Sequence, residues 1–113
     1  MSLSQGNVSV GRFPGLTLRA WVLFSGAGVL IAGSNIASVN RTATGTNTVN
    51  FTTALPSVNY LGDISVNYAG GVTTPVTRLE TKAIGSCVVH TSQVGGGNFN
   101  DADFDVVYVG FYA

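Results

Sequence analysis

A chain of 113 residues charged at only 9% of positions, five basic against five acidic, is the size of one domain able to bury its own core. It offers no cluster of Lys and Arg to nucleic acid or anionic lipid, so neither partner is expected. Its one cysteine, Cys87, excludes an internal disulfide framework and a Cys-rich zinc site. With charge far below the roughly 25% of an ordinary domain, solubility must come from Ser, Thr, Asn and Gly, or from apolar surface hidden in an oligomer.

Residues 1–15 hold Gly6, Gly11, Pro14 and Gly15 with no sustained period, and they lack the charged-then-apolar order of a secretion signal; they read as a lead-in to a single domain over 16–113. In the segment 16–24, Leu16, Leu18, Ala20, Val22 and Phe24 share one strand face, and Thr17, Arg19, Trp21 and Leu23 share the other. The first is a core face. The second places the chain's only tryptophan where a monomer would have water. Ser25, Gly26, Ala27 and Gly28 then make a glycine turn, which also interrupts the apolar run 21–33 well short of the roughly 20 residues that span a bilayer. No membrane insertion is expected. The run 29–32 is apolar on both faces, as a fully covered strand would be.

The segments 36–42 and 48–53 flank Thr-Ala-Thr-Gly-Thr-Asn and predict a hairpin, the clearest in the chain. Pro56 closes it. Over 58–68, Val58, Tyr60, Gly62, Ile64, Val66 and Tyr68 alternate with Asn59, Leu61, Asp63, Ser65 and Asn67, which predicts a strand with one buried face. The Gly- and Thr-rich stretch 69–77 reads as a loop. A long strand, bent at Gly85, is expected over 78–92, a loop over 93–103, and a final strand over 104–112 that is apolar on both faces. Such a terminal strand must be central in its sheet or pressed against a neighbouring subunit. No segment carries a helical period. Short strands punctuated by Gly, Asn and Pro specify an all-β chain folded as an antiparallel β-sandwich.

The residues form no coherent catalytic set. His90 is the only histidine; Cys87 falls on the opposite strand face, and Ser86 shares its face from roughly 13 Å away along an extended strand. Asp101, Asp103 and Asp105 alternate in the manner of oxygen ligands for calcium, but Val106 stands where an EF-hand needs glycine and no glutamate closes the loop. A calcium site of another kind over 101–105 is left open, beside the plainer reading that these acids cap a turn. With Asp63 and Glu80 they supply carboxylates whose spacing selects no glycosidase. Gly95 to Asn98 lacks the Lys and helix of a phosphate loop. Neither enzyme activity nor a cofactor or metal is expected. The aromatics remain: Tyr60 and Tyr68 belong to the core face, Phe99 is exposed among Asn98, Asn100 and Asp101 as a carbohydrate contact would be, and Trp21 beside Arg19 is a subunit anchor or a stacking platform for a sugar, the first favoured.

Residues 19–28, RAWVLFSGAG, followed by IASV at 36–39 and TVNFTTALPSVNY at 48–60, resemble the carboxy-terminal tip domains of tailed-bacteriophage tail fibres and related receptor-binding proteins. The resemblance covers roughly 16–60 and thins beyond residue 68 to the alternating last strand. It implies a homotrimeric β-sandwich at the distal end of a virion fibre, outside the cell, attaching to a host-surface polysaccharide or protein. On that reading the loops 69–77 and 93–103 carry recognition, with Asn98, Phe99, Asn100 and Asp101 foremost. Arg19, Trp21, Val107, Val109 and Phe111 face neighbouring subunits, and three weak sites add avidity on a dense surface. Two rivals share the fold: a structural fibre or baseplate piece that touches no receptor, and a polysaccharide-degrading enzyme with its site between subunits.

Overall fold

The computed structural model describes residues 15–67, 74–95 and 97–113; the lead-in up to residue 14 and the greater part of the expected 69–77 loop lie outside them. Among the described residues there are nine strands and no helix: β1 Leu18–Phe24, β2 Leu30–Ser34, β3 Ile36–Ala43, β4 Thr46–Phe51, β5 Leu61–Asn67, β6 Thr74–Glu80, β7 Ser86–Gly95, β8 Asn98–Asp101 and β9 Val106–Tyr112. They make two antiparallel sheets. The first runs β2-β1-β9-β5, and the second β3-β4-β7-β6 with β8 paired to the last residues of β7. The chain is all-β, and two antiparallel sheets around one core are compatible with a β-sandwich.

The two-residue period decides what is buried. Ala20, Val22 and Phe24 of β1 and Val107, Val109 and Phe111 of β9 meet Val39, Val49, Phe51, Cys87 and Val89 of the second sheet, with Leu55, Tyr60 and Phe104 filling the ends. Phe51, Tyr60 and Phe111 meet edge to face, Phe51 and Phe111 at 4.9 Å between centroids, an arrangement that adds about 0.5–1.5 kcal/mol per pair beyond area burial. Tyr60 is wholly buried, so its hydroxyl needs a partner; it donates toward the carbonyls of Ala83, at 2.8 Å, and Ser86, at 3.0 Å. The chain passes between the sheets at Asn35, whose φ of 61° is left-handed. There Asn35 Nδ2 donates to the Thr53 and Arg19 carbonyls, and its Oδ1 accepts from the Thr53 N–H at 2.7 Å.

Several expectations change. The 78–92 segment is not one bent strand: the chain reverses between Glu80 and Ser86, and β6 pairs back along β7. β6 also takes in residues 74–77, and the expected 93–103 loop is mostly the β7–β8 hairpin. In each case paired backbone outweighs the low β-propensity of Gly, Asn and Thr-Pro sequences. The apolar run at β2 is an exposed edge strand, with Val29 and Ile31 60% and 52% accessible, because alternation-free hydrophobicity does not say which side is covered. A bulge between Leu23 and Phe24, where pairing steps from Ala32 to Leu30, blunts that edge. The last strand is central, as one of its two readings required. Consequently Val107, Val109 and Phe111 do not face a neighbouring subunit; they are fully buried in the chain's own core.

Candidate functional site

The residues singled out for recognition sit together on β8, a four-residue strand exposed along its whole length. Asn98, Phe99 and Asn100 project from the hairpin, Phe99 72% accessible. An exposed phenylalanine flanked by amide side chains has the makeup of a sugar contact, an apolar face with hydrogen-bonding groups at its edge. Gly97, with φ of 84°, makes the turn. Asp101 has a structural task as well. Its Oδ1 lies 2.7 Å from His90 Nε2 and accepts from Ser92 Oγ at 3.2 Å.

His90 lies on the outer face of the second sheet, with its side chain 14% accessible, between Asp101 of β8 and Glu80 of β6, whose Oε1 is 3.2 Å from Nδ1. Arg78 Nε pairs with Glu80, and Arg78 Nη2 lies 3.3 Å from His90 Nδ1. The hydrogen bond that His90 donates to Asp101, with help from Glu80, raises the His90 pKa; His90 chiefly lowers that of Asp101, and Arg78 with His90 lowers that of Glu80. A neutral imidazole has one N–H and the imidazolium has two. Only the charged ring can donate to both carboxylates at once; once neutral, Nδ1 is free to accept from Arg78 instead. The cluster ties three strands together. It builds no nucleophile, since Ser92 bonds to Asp101 rather than to the ring, and Cys87 is buried on the other face with its thiol pKa raised by burial.

Asp103 is committed apart from Asp101. Asp103 accepts from Arg41 Nε and Nη2 through Oδ2, at 3.1 and 2.8 Å, and from the Gly45 N–H through Oδ1 at 2.8 Å. These bonds fasten the β3–β4 turn to the chain between β8 and β9. Among the described residues no group of three His, Cys, Asp or Glu side chains is arranged to hold a metal ion.

Arg19 and Trp21 lie on the outer face of the first sheet. Arg19 donates through Nε to the Ala113 carbonyl at 3.2 Å, and Trp21 stacks on Tyr108 with centroids 6.4 Å apart. Leu23 pairs with Tyr108 on one side and Ala32 on the other, and Val29, Leu30 and Ile31 stand exposed at the adjoining edge. Aromatic rings, leucine, one arginine and an apolar edge are the composition of the centre of a protein interface.

A third feature was not legible in the sequence. On the side where β5 ends one sheet and β6 ends the other, a cleft of about 290 Å³ is lined by Tyr60, Leu61, Gly62, Ile64, Thr77, Arg78, Leu79 and Lys82. The Leu79 side chain packs against Gly62, where a Cβ would come within 2.6 Å of Leu79 Cδ1 and push that side chain aside. Lys82 Nζ donates to the Tyr60 carbonyl at 2.9 Å and lies 5.4 Å from the ring centroid. The preceding Thr81 has φ of 45°, a left-handed conformation that costs a β-branched residue about 1–3 kcal/mol. That turn brings Lys82 back over Tyr60. Arg78 and Lys82 are four apart in a chain read as one strand, but only the facing of two sheet edges sets them beside Leu61 and Ile64. No family model, curated protein or solved structure matches the chain.

Proposed function

We propose that this chain is the distal, receptor-binding domain of a tailed-bacteriophage fibre, assembled as a homotrimer through the outer face of the first sheet, and that it attaches the virion to a host-surface glycan or protein. The observation that carries the reading is the Trp21–Tyr108 stack with Leu23 on the outer face, bordered by the exposed edge residues from Val29 to Ile31. These give an otherwise charge-poor domain an apolar surface suited to burial against copies of itself. The resemblance at 19–28 and 48–60 supplies the setting, and Asn98, Phe99 and Asn100 on β8 supply a recognition surface on the other sheet. Attachment by such a trimer is multivalent binding without chemistry.

The test is solution mass by light scattering after size exclusion, on the wild-type chain and on Trp21→Glu. A wild-type trimer that Trp21→Glu converts to folded monomers supports the assembly; a wild-type monomer refutes it. Binding of the fluorescently labelled chain to a panel of bacterial cells then separates a receptor-binding domain from a purely structural one, and release of reducing ends from surface polysaccharide tests the enzymatic rival.

A further inference from the structure

We infer that the cleft between β5 and β6 is a binding site for an acidic sugar unit, one pyranose ring bearing a carboxylate, with Lys82 as the counter-charge and Leu61, Ile64 and Leu79 as the surface for the ring. The inference rests on the receptor-binding reading for the ligand being a saccharide, and it adds a subsite apart from β8. Its volume of about 290 Å³ stands at the small end of ligand pockets and suits one sugar ring rather than a peptide or a nucleotide. The wall combines three aliphatic side chains with the Thr77 hydroxyl and two cationic groups. Both bordering strands end their sheets, so each presents backbone N–H and C=O groups outside its own ladder, the kind of partner that sugar hydroxyls need.

The cations are not equivalent. Arg78 is engaged by Glu80 and by His90. Lys82 rests on a carbonyl and on a ring face, neither of which neutralises it, and each leaves N–H donors to spare. An ammonium fixed in this way, on a backbone turn held in a strained conformation at Thr81, is positioned to meet a carboxylate without first breaking an ion pair. Gly62 and Leu79 set the width of the opening, because the Leu79 side chain packs close to β5 where that strand carries no side chain.

The experiment is a titration of the full, isotope-labelled chain, in whatever oligomeric state it holds, followed by amide chemical shifts. The probes are sodium glucuronate, glucose and sodium sulfate. Glucuronate is expected to shift the Gly62, Leu79 and Lys82 amides with a Kd of about 1–10 mM, a normal affinity for a single sugar, with glucose at least about tenfold weaker. Lys82→Gln keeps a donor for the Tyr60 carbonyl and removes the charge; it should leave the spectrum of the core unchanged and weaken glucuronate about tenfold. Loss of less than about twofold, or no shift at these amides at roughly 50 mM glucuronate, overturns the site. Equal shifts from sulfate overturn the sugar assignment and leave a bare anion site. Cell labelling separates the two readings: wild type and Lys82→Gln labelling bacteria equally would sink the subsite and spare the receptor function. Glucuronate filling the cleft of a chain that labels no cells would do the reverse.

Discussion

Replacing Asn35 tests the joint that holds the two sheets in relation. Its left-handed backbone is one that asparagine tolerates and alanine does not, at about 1 kcal/mol or somewhat more. Its side chain makes two well-formed bonds to the Thr53 backbone, at 2.7 and 3.0 Å, and a longer one to the Arg19 carbonyl at 3.3 Å. The residue is half-buried, so water replaces part of what is lost, and each good bond is worth about 0.5–1 kcal/mol net. Asn35→Ala should therefore cost about 2–3 kcal/mol. Asn35→Gly keeps the backbone and should cost about 1–2 kcal/mol, mostly the hydrogen bonds. Asn35→Asp retains the acceptor for the Thr53 N–H but turns a carboxylate oxygen toward two carbonyls, and should fall near the alanine variant.

Urea denaturation followed by fluorescence of Trp21, the only tryptophan, measures all three. Protein concentration must be held constant, because an assembling chain is stabilised by mass action. With an m-value of about 1–2 kcal/mol/M, the alanine midpoint should fall by roughly 1–3 M. A loss below about 1 kcal/mol for Asn35→Ala would refute the joint. Equal losses for the glycine and alanine variants would refute the backbone contribution.

Gly45 should tolerate no side chain: with φ of 69° and a Cβ falling 2.2 Å from the Thr91 carbonyl oxygen, Gly45→Ala is expected to cost about 3 kcal/mol or more. Gly85, with nothing within 4 Å of its Cβ position, is the control, and Gly85→Ala should stay within about 1 kcal/mol of wild type in the same assay. Tyr60→Phe removes the one proton serving the Ala83 and Ser86 carbonyls and should cost about 1–2 kcal/mol without loss of the folded spectrum; an unchanged urea midpoint would refute that role. The His90 cluster gives a pH window. A raised His90 pKa contributes stability that is complete below the ordinary value near 6.5 and lost as pH rises through the folded value; lowered Glu80 and Asp101 pKa values contribute stability complete above about 4.5 and lost on acidification. Amide exchange of β8 should thus be slowest, after correction for intrinsic rates, between about pH 4.5 and 6.5, and His90→Gln should flatten the profile; a profile that survives the substitution places the titration elsewhere.

The class of the fold was legible because alternation names faces directly: Ala20, Val22 and Phe24, or Val49 and Phe51, are buried as their spacing says. Partnership across sheets was not. Val107, Val109 and Phe111 on one side of β9, and Tyr108 on the other, look alike as apolar residues, and a period of two cannot say that the first set meets Phe51 while Tyr108 meets Trp21. The reversal at Thr81 was hidden for a related reason. Gly85 reads as a bend within one strand, and the left-handed residue that opens the reversal is a threonine, so residues 78–92 read as one strand and the cleft beside Lys82 could not be assembled. His90 could be placed on a strand face opposite Cys87, but its carboxylate partners lie ten and eleven positions away, on strands β6 and β8 that flank it only after both hairpins form.

On the proposed function, the arrangement of faces separates assembly from recognition. Trp21 and Tyr108 lie outside the first sheet, β8 belongs to the second, and the cleft opens along the seam where both sheets end at β5 and β6. A trimer closed through the first sheet leaves the second sheet of every protomer outward, so three copies of β8 remain free to touch a surface together. The core is contributed by one chain alone, so on the proposed assembly Trp21→Glu removes the stack on Tyr108 and what neighbours supply but leaves the core intact, and a folded monomer is its expected product. If the proposed trimer forms, weak single-site contact becomes firm attachment only in it, since linking sites raises avidity by about 10²–10⁴ without any new contact. Loss of trimer and loss of cell binding should therefore occur together in Trp21→Glu, while substitutions at Phe99 should lower cell binding in a chain that still assembles.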